Sequence, residues 1–372
     1  MRSNITHIHY PDMTFPEKKI ILVIGATGAQ GMKVIDELLK PSDKGDEYPW
    51  AIRALTRDAS GARAQALAKK GVDVVQGSFL DVPAVLAAMQ GVYGAFVNTD
   101  GFTVGEQREV YAGIRIFELA KQAGLKHFTW SGGPYSLKLG GYDPKYKVDH
   151  NDAKARVADF IRAQPSGTGE GEMAWTILTF GIYMDMLKFI LLGPQNIRPD
   201  GTRVFFNPLD AGPVALMALD DLAWWVRYTF SNISNSSAQD FTIASDEVNF
   251  PDFVEKFQRV IGKPAVHKIT TPEGWFDIVA DPDQPVAMLN TRGDGTTTVR
   301  QNFTAWWHFW RESARLWPVD MQWVRSVHPG SLSVEDWMRK SGWDGALDLS
   351  TLKSGETGQR RMMLDLDKVR AL

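Results

Sequence analysis

From Lys19 onward, short β-branched runs alternate with longer runs in which apolar residues recur every three to four positions. This is the pattern of parallel strands joined by crossover helices. It predicts strands over 20–24, 50–56, 72–76, 93–98, 126–131 and 175–180, with helices over 31–39, 62–70, 82–89, 106–123 and 149–162 between them. The first strand is apolar throughout and ends in glycine, as a central strand buried on both faces should. The expected fold is α/β, a Rossmann-type doubly wound parallel sheet whose ligand crevice lies at the carboxyl ends of the strands. Beyond Phe180 the alternation decays into Gly/Pro-punctuated segments. Helices near 220–230 and over 250–261, strands over 240–244 and 266–270, and a Ser/Asn loop over 231–237 make this a smaller C-terminal α+β region. Residues 41–49 form a polar loop, and 354–372 read as a charged, mobile tail.

The 372 residues, 44% of them hydrophobic and 23% charged, can bury a large core. A net charge of -3 lacks the basic excess that phosphate-backbone binding requires, so nucleic acid is not an expected direct partner. The absence of cysteine excludes disulfides, thiolate metal sites and a cysteine nucleophile, so redox chemistry would need a bound cofactor. The first nineteen residues carry His7, His9, Asp12 and Glu17 and read as a polar arm, not a secretory signal. No stretch is long and apolar enough to span a membrane, and a cytoplasmic location is expected. The glycosylation triplets at Asn4, Asn232, Asn235 and Asn302 therefore carry little weight. The seven histidines form no compact ligand cluster outside the arm, and no metal is expected. Gly-x-Ser-x-Gly does not occur, which argues against a serine hydrolase.

The strongest chemical signal is Gly25-Ala26-Thr27-Gly28-Ala29-Gln30-Gly31, which follows a buried strand and opens a helix. Gly25 permits the tight turn, Gly28 lets backbone approach a pyrophosphate, and Gly31 allows close helix-strand packing at a helix N-terminus that favours anions. At the end of the second strand stands Arg53-Ala54-Leu55-Thr56-Arg57, where an NAD enzyme would present Asp or Glu to the ribose. A cation there favours the 2'-phosphate of NADP(H), with Arg57 the contact and Arg53 either a second contact or a solvated strand residue. Asp58 either caps the next helix or opposes a phosphate.

These two motifs, with Val75-Gln76-Gly77 before Asp81 and Gly91-Val92-Tyr93-Gly94-Ala95-Phe96, resemble the NmrA-like family of atypical short-chain dehydrogenases, relatives of isoflavone and phenylcoumaran benzylic ether reductases. The resemblance spans about 19–343. It implies an NAD(P)-binding domain over 19–180, a substrate-binding or lid region over 181–345, an arm over 1–18 and a charged tail over 346–372. It further implies cofactor contacts at Ser78 and Phe79 beside the adenine, at Asn98 and Thr99, and at Gly181 and Tyr183 along the nicotinamide. The Tyr-x-x-x-Lys pair of common short-chain dehydrogenases is missing, since none of the nine tyrosines has lysine four places on. In its place His150-Asn151-Asp152-Ala153-Lys154 resembles the family's lysine-bearing helix, and the i, i+4 spacing puts His150 and Lys154 on one face. Lys154 could hold the nicotinamide ribose while His150 donates a proton, or the two could form a solvated helix face. Ser131 either polarises the substrate carbonyl or simply ends its strand, and Tyr142 and Tyr146 are the alternative acids.

The expected function is an NADPH-dependent reductase of a small apolar or aromatic carbonyl, imine or activated alkene, a role common in secondary metabolism. The alternative is a non-catalytic NADP(H)-binding redox sensor or transcriptional regulator of NmrA type, which would need a protein partner. A redox-neutral reaction with retained NADP is the third. The reductase needs only a small-molecule substrate, and a homodimer is compatible with it. Seven of the 13 tryptophans crowd into 306–343, as core of a C-terminal cap or as a wall of ligand contacts, the former being favoured.

Overall fold

The computed structural model describes residues 18–41, 49–210, 212–348, 350 and 362–372. The arm, most of the 41–49 loop and 351–361 lie outside the described residues. Strands β1 (Lys19–Ile24), β2 (Trp50–Thr56), β3 (Asp73–Gln76), β4 (Gly94–Val97), β5 (His127–Ser131) and β6 (Ala174–Phe180) fall where the alternation predicts them. Helices α1 (Ala29–Leu38), α2 (Ala62–Ala68), α3 (Val82–Ala88), α5 (Glu106–Gln122) and α7 (Asp149–Arg162) connect them, with short turns α4 (Gly101–Val104) and α6 (Ser136–Leu139) between. Helix α1 starts two residues before the predicted Gly31, because Gly28 already has the extended backbone of an N-cap.

Past β6 the chain forms β7 (Ile182–Tyr183), β8 (Asn196–Ile197), β9 (Arg203–Asn207), β10 (Val214–Met217), α8 (Leu219–Ser231), α9 (Ile233–Ser236) and β11 (Gln239–Ile243). The large sheet has the order β11-β6-β5-β4-β1-β2-β3 with every pairing parallel. It therefore has seven strands where six were predicted. The order reverses between β1 and β4, which places the crevice at their carboxyl ends. Because α8 packs on α1 and β11 joins the sheet edge, the large layer is completed by chain beyond Phe180. The Ser/Asn segment expected as a loop contains the helical turn α9.

Apolar side chains of α1 and α8 cover one face of the sheet, and those of α3, α5 and α7 cover the other. A third core joins β12 (Asp246–Val248), α10 (Phe250–Ile261), β13 (Ala265–Ile269), β14 (Val279–Ala280) and α11 (Val299–Arg311) to the segment after β7. The mobile-tail reading is corrected at its described end. Strand β15 (Met363–Leu364) pairs antiparallel with β14, and the Leu372 carbonyl accepts a hydrogen bond from Arg198. Burial of Met362 and Val369 supplies the apolar drive that the charge pattern of the segment hides. Among the described residues no helix is long and apolar enough to cross a membrane.

Candidate functional site

A cavity of about 920 Å³ opens at the carboxyl ends of β1 and β4 and runs on into the C-terminal region. Its nucleotide-sized half is built on the glycine turn. Gly25 has φ +82°, and a Cβ there would stand 2.5 Å from the Asn98 carbonyl oxygen; one at Gly31 would lie 2.3 Å from the Gly25 carbonyl oxygen. Only glycine fits either position. No side chain caps the α1 N-terminus and no acidic residue occupies its first turn, so its N–H groups and dipole face the cavity uncompensated. Thr27, Gly28, Ala29, Gln30, Arg57, Phe79, Asn98, Thr99 and Gly181 line this half.

Arg57 is exposed at the cavity edge, where a cation could meet a phosphate. Arg53 is not a second contact: its guanidinium is bound to Asp73 and to the carbonyls of Ala88 and Gln90. Asp58 accepts from the backbone N–H groups of Ser60 and Gly61 and so organises the entry to α2. Arg63, the second residue of α2, donates to the Thr27 carbonyl at 3.2 Å. Ser78 does not line the cavity. Its hydroxyl accepts from the Leu80 N–H, closing the turn after β3, and leaves Gly77 and Phe79 as the lining residues there.

Lys154 projects from α7 into the middle of the cavity. Its ammonium donates to Asn98 Oδ1 and the Thr99 carbonyl, both at 3.0 Å, and lies 3.3 Å from Glu109 Oε1. Glu109 is fully buried, accepts from the Thr99 hydroxyl at 2.7 Å, and leaves Oε2 without a partner. Burial holds its carboxyl above the ordinary range, with Lys154 opposing the shift. Sequence reasoning missed Glu109, although a signal existed. It shares the buried stripe of α5 with Ala112, Gly113 and Ile116, where an acid is out of place unless paired.

His150, one turn before Lys154, also lines the cavity, with its ring centroid 4.5 Å from Phe102 and 5.9 Å from Phe303. It is not on a solvated face: desolvation pushes its pKa down to about 4, so the ring is neutral near pH 7. Ser131 is also displaced from its expected role. It is fully buried behind the cavity wall, where its hydroxyl donates to Gln30 Oε1 at 2.8 Å, and Gln30 Nε2 donates to the Tyr183 hydroxyl. Tyr183 stands in the cavity, stacked on Phe180, with its pKa pushed up to about 12 by burial. Neither alternative acid reaches the site. Tyr142 is 62% exposed, and Tyr146 is buried with its hydroxyl donating to Glu312 at 2.6 Å.

The second half of the cavity is aromatic and aliphatic. The segment after β7 gives Met186, Phe189 and Leu191; residues 284–289 and Met362 supply further walls; α11 adds Val299, Phe303, Trp306 and Trp310. The tryptophan-rich end thus divides. Trp306 and Trp310 meet the cavity, while Trp307, Trp317, Trp337 and Trp343 fill the C-terminal core. The spacing of 299, 303, 306 and 310 is one helix stripe, a signal present in the sequence.

The NmrA-like family profile matches residues 17–292. Among curated relatives, the NmrA-like family domain-containing oxidoreductase himF of Aspergillus japonicus is 31% identical over 257 residues, 66% of this chain and 74% of that protein. The corresponding oxidoreductase malD of Malbranchea aurantiaca is 26% identical over 280 residues, 71% of this chain and 79% of that one. Among solved structures, the negative transcriptional regulator NmrA in complex with NAD superposes with a TM-score of 0.67 at 18% identity, over 93% of this chain and 99% of that one. An NADPH-dependent quinone oxidoreductase of Escherichia coli complexed with NADPH gives a TM-score of 0.60 at 19% identity, over 87% of this chain and 100% of that one.

Proposed function

This chain belongs to the NmrA-like family, and from that premise we propose that it is an NADPH-dependent reductase of an apolar or aromatic carbonyl, imine or activated alkene. The observation that carries the reading is the continuity of one cavity, from the uncapped α1 N-terminus to an aromatic pocket, with Lys154 and His150 at the junction. The relatives' description as oxidoreductases supports it. The donor set fits a dinucleotide: the glycine turn leaves room for a pyrophosphate against the helix N-terminus, and Arg57 suits a 2'-phosphate. Bound NADPH would supply a hydride to the substrate.

In this reading residues 19–180 with α8 and β11 hold the nucleotide, and the remainder of 181–345 with Met362 encloses the substrate. Lys154 exchanges one of its protein acceptors for a ribose hydroxyl, and the Glu109 carboxyl beneath, 3.3 Å away, holds its ammonium in place. His150, neutral at working pH, acts as a hydrogen-bond donor to the substrate's acceptor atom and polarises it, and the anionic oxygen or nitrogen left after hydride addition takes its proton from solvent water. The deciding experiment pairs NADPH oxidation in a carbonyl and imine screen with NADPH titration, for wild type and Lys154→Ala. The expected result is wild-type turnover that falls at least about 100-fold in the variant while NADPH still binds. Equal binding of both redox forms with no turnover of any substrate would favour a sensor.

A further inference from the structure

Among the described residues the charged ones lining the cavity are Arg57, Asp100 and Lys154, with Arg57 beside the glycine turn and Lys154 at the junction of the two halves. Among the described residues the far half offers no ionic partner, so a charged ligand group there would be desolvated without compensation from them. One face of that half is the α11 stripe Val299, Phe303, Trp306 and Trp310, and Phe303 runs nearly parallel to Phe102, at 8° with centroids 6.0 Å apart. Flat aromatic faces of this kind favour a planar ring system by offset stacking.

The same helix sets the polar end of the pocket. Asn302 is fully buried and its Oδ1 accepts the Asp149 N–H at 2.9 Å. That contact turns the amide so that Nδ2 faces His150 Nδ1 at 3.3 Å. An amide nitrogen can only donate, so Nδ1 must accept, and the neutral ring carries its proton on Nε2. A fixed donor beside aromatic walls selects a hydrogen-bond acceptor and supplies no counter-charge to a cation or an anion. Helix α11 lies beyond residue 292, where the match to the family profile ends.

We propose that the substrate half takes an uncharged, planar, fused-ring aromatic compound bearing one carbonyl or neutral imine acceptor, with α11 as the specificity element and Asn302 as the residue that positions His150. This rests on the reductase reading for its reaction but not for its binding test. The probes are 9-fluorenone, fluorene, which has the rings without the acceptor, and 9-fluorenone-2-carboxylate. Each is titrated by tryptophan fluorescence into NADP+-loaded and nucleotide-free protein, with NADPH affinity measured separately. Fluorenone is expected to bind at least about 10-fold tighter than either analogue. Phe303→Leu, which keeps apolar bulk and removes the ring, should weaken fluorenone several-fold and leave NADPH affinity unchanged. Asn302→Asp, which offers Nδ1 an acceptor, should make fluorenone affinity pH-dependent between about pH 5.5 and 8, as wild-type affinity is not. Equal binding of the carboxylate, equal binding of fluorene, or a Phe303→Leu protein that binds fluorenone as wild type does would overturn the proposal. Failure of NADPH to bind, with fluorenone selectivity intact, would instead remove the reductase reading alone.

Discussion

At the residue scale the site depends on how burial sets the charge of a few groups. His150, held down to about 4, has a folded pKa below its unfolded one. The sign is therefore that of a group that loses stability on acidification, through the window from about pH 6.5 to 4, and that stays neutral above it. If neutral His150 is the polarising donor, kcat should show no histidine inflection between about pH 5.5 and 8, and a rate that followed an imidazolium near 6.5 would contradict this role. Glu109 permits a second prediction. Its carboxyl is buried beneath Lys154 with one oxygen unpartnered, so Glu109→Gln keeps shape and removes the counter-charge. Lys154 then loses its ion pair and is held by Asn98 and Thr99 alone, so kcat should fall roughly 3- to 10-fold while NADPH affinity changes less than about 3-fold. A kcat equal to that of wild type would show that Lys154 draws nothing from Glu109.

At the element scale the turn from β1 to α1 has no room for a side chain at Gly25 or Gly31. A Cβ at Gly31 would stand 2.3 Å from the Gly25 carbonyl oxygen and 2.6 Å from Ala26 Cα, both backbone atoms that cannot move aside cheaply. Gly31→Ala should therefore cost roughly 2–3 kcal/mol in urea unfolding and abolish NADPH binding; a variant of wild-type stability would mean that the helix shifts freely on its strand. This turn was legible in the sequence because its chemistry is local, as were β2 and α10, whose limits match the hydrophobic pattern residue for residue. The pairing of β11 with β6 was not, since a strand's neighbour across the sheet leaves no trace in its own periodicity. The same reason hid Asn302 and Ser131. Their roles are set by Asp149, His150 and Gln30, residues more than a hundred positions away, and only the folded chain brings these together. Tyr146 failed as a candidate acid because its loop turns it into the C-terminal core toward Glu312.

At the scale of the whole molecule, the three cores meet along one cavity, and Met362, just before β15, adds to its far wall. Deleting 362–372 should leave NADPH affinity within about 2-fold of wild type while weakening fluorenone, because the lost wall touches only the substrate half. Loss of nucleotide binding in a folded deletion would show that the two halves are not separable. Buried His127 adds a global pH effect. Its pKa is lowered to about 3 by burial inside the large sheet, so at pH 5 it costs the folded state roughly 2 kcal/mol relative to pH 8. Urea midpoints at the two pH values should differ accordingly, and His127→Gln should reduce the difference.

The central claim, an NADPH-binding reductase cavity, is tested most directly by titrating NADPH and NADH into wild type and Arg57→Ala, with the quenching of tryptophan fluorescence as the signal. The account predicts that NADPH binds at least about 10-fold tighter than NADH and that Arg57→Ala closes most of the gap, since the 2'-phosphate is the one group that distinguishes the two. A folded protein that binds neither nucleotide, or that binds both alike with or without Arg57, would contradict it.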